Sequence, residues 1–142
     1  MTARVARAIV TTDVLSVVEH EQLVADAGAG AVVSFAGVVR DHDDGKGVRA
    51  LDYSAHPSAA ELVAHVAADV AARVSGVRAL AISHRVGPLA VGDVALACAV
   101  SADHRAAAFQ TCALLVDEVK ARIPVWKHQQ FADGTQEWVG SA

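Results

Sequence analysis

Pro124 restricts the fold of this chain more than any other residue. It follows Asp117-Glu118-Val119-Lys120-Ala121-Arg122-Ile123, which reads as the end of an apolar helix, and precedes the short extended run Val125-Trp126-Lys127-His128. Proline has no N–H and pushes the residue before it out of helical backbone, so the helix stops and the chain leaves as a strand. Lys120 and Lys127 therefore stand on either side of a helix-to-strand break, where both ammonium groups can turn toward one anion. The plainer account has Lys120 complementing a helix dipole and Lys127 blunting a strand edge.

The 142 residues suit one domain, 1–142, that needs no disulfide or metal to fold. Hydrophobic residues make up 54%, mostly Ala and Val, and aromatics only 4%, so the core is built from small side chains on closely spaced elements, as where helices lie on a sheet. A net charge of −4 argues against general nucleic-acid binding and makes any anion site a local one. No apolar run approaches the about 20 residues that span a bilayer, and with no visible signal peptide the expected location is the cytoplasm, with Cys98 and Cys112 as reduced thiols.

Residues 5–10 suggest a strand. Thr11, Thr12 or Asp13 then caps a helix to about Asp26, and Gly28-Ala29-Gly30 is a turn, not a phosphate cradle, because it leads into a strand. Ala31 to Arg40 is β-rich, with Gly37 marking a bulge or a close approach. Arg40 at its exit is either a fork for a phosphate or a solvated strand end. The loop Asp41 to Gly47 fails the calcium-loop pattern at Gly45 and Lys46. Val48 to Ser54 is expected to return as a hairpin partner of the preceding strand. An alanine-rich helix from Pro57 to about Val74, strands Val77 to Val86 and Asp93 to Ser101, and a helix from Asp103-His104-Arg105 to near Arg122 complete the pattern.

Asp103 or Ser101 would cap that last helix. His104 and Arg105 in its first turn have the wrong sign for the dipole, which points to phosphate binding. The seven histidines form no metal-ligand spacing, so neither a metal nor a cofactor is expected.

Four separated motifs, Phe35-Ala36-Gly37-Val38-Val39-Arg40 with Asp41-His42, His84-Arg85-Val86-Gly87-Pro88-Leu89 with Gly92-Asp93, Ser101 to Phe109, and Val119 to Lys127, stand in the order found in the catalytic (large) subunit family of molybdopterin synthase. The chain resembles that family from about Gly30 to Trp138. The resemblance implies an α+β fold of the α/β-hammerhead type, with an antiparallel sheet and packed helices. It also implies a homodimer within a heterotetramer, completed by a small ubiquitin-like sulfur carrier ending in a Gly-Gly thiocarboxylate. The reaction it implies is a sulfurtransferase step of molybdenum cofactor biosynthesis, converting cyclic pyranopterin monophosphate to the dithiolene of molybdopterin. By the same resemblance Lys120 and Lys127 are the active-site lysines, Arg40 the pocket arginine, and His104 and Arg105 the substrate-binding pair. Val38, Val39, His128 and Gln129 fall in binding segments. Many relatives carry a longer tail than one ending at Ala142.

His104 and Lys120 lie sixteen residues apart on one expected helix, about 24 Å at 1.5 Å per residue. A shared pocket is therefore expected, with Lys120, Lys127 and Arg40 from one protomer and His104 and Arg105 from the other. The competing readings are a docking scaffold for a ubiquitin-like tail, without chemistry, and a dimeric small-molecule sensor.

Overall fold

The computed structural model describes residues 2–140. Along the chain run β1 (Arg4–Thr11), α1 (Val17–Leu23), β2 (Ala31–Val38), β3 (His42–Asp43), β4 (Lys46–Ala55), α2 (Ala59–Arg73), β5 (Val77–Arg85), β6 (Gly87–Leu89), β7 (Val94–Ala102), α3 (Arg105–Arg122), β8 (Val125–Phe131) and β9 (Gln136–Gly140). The fold is α+β. One sheet has the order β1-β5-β7-β2, antiparallel except for the parallel β1–β5 pair; the other has the order β3-β4-β8-β9, with β6 also paired to β4.

The first sheet is covered on both faces, which explains the near-continuous apolar runs of β5 and β7. Leu80, Ile82, Leu96, Cys98 and Val100 meet Val63, Val66 and Val70 of α2 and Leu115 and Val119 of α3 in the main core. On the opposite face Ala79, Ala81 and Ala99 pack with Val24 beyond the end of α1. Alternation along the strands thus sends larger residues to the two long helices and alanines to the short one, where a small side chain lets α1 approach closely. Among the described residues no helix is long and apolar enough to cross a membrane.

The structure departs from the sequence reading at several places. β1 continues to Thr11, paired with Arg85, so α1 begins only after Ser16, whose hydroxyl accepts from Glu19 N at 3.1 Å. The break at Gly37 is a register shift between Gly37 and Val38. β4 does not pair with β2. The intervening loop closes its own hairpin, with Asp44 at φ 51° and Gly45 at φ 78°, the Asp-Gly signal of a tight β-turn, and this redirects the chain into the second sheet. Asp103 does not cap α3, because its carboxylate is taken by Arg78 Nε at 2.5 Å; Ser101 lies within β7, and the cap position falls to His104 without a side-chain bond. β6 and β9 were not expected. The tail residues Ser141 and Ala142, like Met1, lie outside the described residues.

Leu115 is fully buried where α3 meets the first sheet. Leu115→Ala should lower unfolding free energy by about 2–5 kcal/mol in a denaturant titration, the range for a large buried aliphatic cut to alanine.

Candidate active site

Val119 and Ile123, both buried, pin the last turn of α3, and Ile123 N donates to the Val119 carbonyl at 3.0 Å. Pro124 follows, and β8 begins at once. This leaves Lys120 exposed on the final helical turn, while strand alternation turns Lys127 and Gln129 to one face of β8 and Trp126 and His128 to the other. Lys127 stands opposite Tyr53 and Gln129 opposite Leu51 in the β4–β8 register.

Arg40 arrives from the other sheet. Val39, just before it, is buried, donates from its N–H to the Asp93 carbonyl at 2.9 Å and accepts from Gly92 N at 2.7 Å. The Asp93 carboxylate in turn accepts from Ala90 N at 2.9 Å and lies 3.6 Å from the Arg85 guanidinium. Gly92 sits at φ 93°, a backbone region that side chains resist. The Arg85 and Gly92-Asp93 motifs thus form a brace that fixes the root of Arg40.

These segments close a pocket of about 190 Å³, lined by Val38, Val39, Arg40, Lys120, Lys127 and Gln129, with Leu51 and Tyr53 at its apolar side. Asp43 balances its charge. One carboxylate oxygen accepts from the Gln129 amide at 2.6 Å and lies 4.0 Å from Lys127 Nζ, and the other accepts from Arg40 at 3.2 Å. The Gln129 hydrogen bond, assisted by the charges of Lys127 and Arg40 and opposed by burial, holds the Asp43 carboxyl below the usual carboxylate range. Beneath the pocket His84 meets the Tyr53 ring edge-on, with centroids 5.0 Å apart. Burial is the main cause that pushes the His84 imidazole down; the Lys120 charge adds to it, and donation to the Arg85 carbonyl at 2.8 Å opposes it. Burial raises the Tyr53 phenol.

Of the residues read from the sequence, Val38, Val39, Arg40, Lys120, Lys127 and Gln129 come together. His128 does not join them: it stacks on Trp138 with centroids 4.3 Å apart and donates to Gln136 Oε1 at 2.7 Å, on the outer face of β8. His104 and Arg105 are exposed at the far end of α3. Asp43, Tyr53 and His84 were missed. Only Asp43 left a signal, an acid three residues after Arg40 beside an Asp-Gly turn. Cys98 and Cys112 are buried between β7 and α3 with sulfurs 3.8 Å apart. Among the described residues no group of three or more His, Cys, Asp or Glu is arranged to hold a metal.

An arginine, two lysines and a buried amide around one small, mostly polar pocket define a site for handling anions on an α+β scaffold. The family model of the MoaE protein matches residues 10–122, and the chain belongs to that family. It is 37% identical over 126 residues to the molybdopterin synthase catalytic subunit of Nostoc sp., covering 88% of this chain and 76% of that protein. Against the subunit of the same name from Bacillus subtilis it is 37% identical over 113 residues, covering 79% and 71%. The crystal structure of molybdopterin synthase from Staphylococcus aureus superposes with a TM-score of 0.85 at 28% identity, covering 94% of this chain and 96% of that one. The family places this chain among the enzymes of molybdenum cofactor biosynthesis, as a sulfurtransferase.

A carboxylate with a depressed folded-state pKa stabilises the fold above its ordinary titration range, and that contribution is lost as pH falls through the folded value. The stability difference between wild type and Asp43→Asn should therefore hold above about pH 4 and shrink below it, measured by chemical denaturation across pH.

Proposed function

We propose that the pocket of Arg40, Lys120 and Lys127 is where sulfur passes from the C-terminal Gly-Gly thiocarboxylate of a small ubiquitin-like subunit to cyclic pyranopterin monophosphate. Two insertions make the dithiolene. The observation that carries this reading is the convergence of three cations from two sheets and a helix end on one pocket. A thiocarboxylate and a phosphate repel each other, and fixed cations in a partly enclosed site offset that repulsion without reorganising as the reaction proceeds. Lys120, on the helix end, is suited to polarise the thiocarboxylate carbonyl or to move a proton. Arg40 and Lys127 hold anionic oxygens. The nucleophilic sulfur comes from the partner, in keeping with the burial of both thiols of this chain. The reaction belongs to the cytoplasm, where such thiols stay reduced.

The substrate's remaining contacts come from a second copy. His104 and Arg105 sit at one end of an eighteen-residue helix and Lys120 near the other, about 24 Å away, too far for one pterin phosphate. An apolar groove of about 380 Å³ lies midway, where Phe35 of β2 meets Phe109, Ala113 and Val116 of α3. β2 is an edge strand of its sheet, and Val32, Phe35, Val38 and Phe109 are exposed. An open apolar edge of this kind favours pairing with another chain. A twofold axis through the groove would exchange the ends of α3, setting His104 and Arg105 of one copy beside Lys120 and Arg40 of the other.

Incubating the chain with a thiocarboxylated partner and cyclic pyranopterin monophosphate should yield dithiolene product. Lys120→Ala and Lys127→Ala should each lower the rate by about a hundredfold or more. The double replacement of Cys98 and Cys112 by Ala should keep activity in the folded protein. Mixed dimers of a Lys120→Ala chain with an Arg105→Ala chain should regain one intact pocket; complete inactivity of the mixture would refute shared pockets.

A further inference from the structure

Asp43 is an acid among the pocket's cations that the proposed reaction does not use, and its surroundings are those of a bound ligand. Its two oxygens take the donors of Gln129 at 2.6 Å and Arg40 at 3.2 Å, with Lys127 at 4.0 Å, in the way an external carboxylate or oxyanion would. Gln129 is only 2% exposed, so its amide is a fixed, desolvated donor committed to this seat. We infer that Asp43 is a built-in occupant of the anion seat, a carboxylate that must turn away before an anionic group of the reactants can take the same donors.

The hairpin is built to allow this. Its backbone is held independently of the side chain, by Val48 N to the Asp41 carbonyl at 2.7 Å and Ala132 N to the Gly47 carbonyl at 2.8 Å. Lys46, opposite Asp43 in register, is engaged elsewhere, with Thr135 at 3.3 Å and Asp133 at 3.6 Å. The Asp43 side chain keeps 24% of its surface exposed, so a rotation about its own bonds carries the carboxylate into water without unfolding the turn. Its carboxylate lies between Arg40 and Lys127 and shields these two cations from one another. When an anion enters, that shield becomes a competitor, because two negative groups cannot share one set of donors at close range.

The identity of the entering group rests on the reaction proposed above, but the competition itself does not. The groups facing Asp43 are Arg40 and the Asp41–His42 pair on its own side, Lys46 from β4, and Lys127 and Gln129 from β8, with Lys120 of α3 across the pocket. All are common to wild type and Asp43→Asn, so comparing the two proteins cancels their titration.

The probe is inorganic sulfate, titrated calorimetrically into the whole chain between about pH 4 and 8 at fixed ionic strength, a range over which ordinary carboxylates ionise. Asp43→Asn should bind sulfate at least about tenfold more tightly than wild type near neutrality, and because the wild-type carboxyl is held below the usual carboxylate range the gap should persist down to about pH 4. In wild type the Asp43 carboxyl carbon resonance should shift as sulfate is added, a readout that needs no variant. Equal or weaker binding by a folded Asp43→Asn, or a resonance that ignores sulfate, would overturn the inference. Sulfur transfer assayed alongside separates the two claims: competition without dithiolene product would leave the seat assignment standing while removing the proposed reaction.

Discussion

Crowding three positive charges around one small pocket is the constraint on which the rest of this structure turns. Two unit charges 4 Å apart interact by about 4 kcal/mol at an effective dielectric constant near 20, so like charges gathered at one pocket call for a counter-charge. Asp43 holds Arg40 and Lys127 in place, with Gln129 securing the carboxylate from below. The cost of that arrangement is borne by rigid backbone on every side. Pro124 forces α3 to stop where Lys120 still faces the pocket, the shift at Gly37 and Val38 frees the chain from its sheet, and Gly92 clasps Val39 so that Arg40 emerges at a fixed angle.

The site lies at the junction of two differently built halves. The first sheet is a packed platform whose small residues admit helices on both faces and whose end supplies Arg40 and the helix carrying Lys120. The second sheet is thinner, and its β8 places Lys127 and Gln129 on the inward face. A small cluster of Val39, Leu51, Leu89 and Ala95, with Tyr53 against it, joins the halves directly under the pocket. The His84–Tyr53 contact extends this dry floor, which strengthens every charge interaction above it. Membership of the MoaE family is compatible with this division, in which fixed cations stand over a largely buried base.

Much of this was legible in the sequence where a local rule governs. The proline stop, the glycine break in β2, the alanine-rich helices and the long apolar strands follow from backbone chemistry and burial period. Strand partnership was not legible. The Asp44-Gly45 turn carried a hairpin signal, but only the tertiary structure reveals that β4 pairs with β8 and that β2 pairs with β7. His128 illustrates the same limit at the site: one residue from Lys127 in sequence, it lies on the opposite face of the strand. Tyr53 and His84 meet beside the pocket through a contact between distant segments that nothing in their local sequence announces, whereas Asp43, three residues after Arg40, left a local signal but needs Gln129 from a distant strand to complete its contacts.

The claim at the centre is that these cations, together with the far end of α3 from a second copy, form one continuous anion site. The most direct measurement is a crystal structure of the protein with a bound oxyanion. The account predicts a dimer in which one anion touches Arg40 and Lys127 of one copy and Arg105 of the other, with the Asp43 carboxylate turned out to solvent. An anion held within a single copy, with His104 and Arg105 facing open solvent in the dimer, would contradict it.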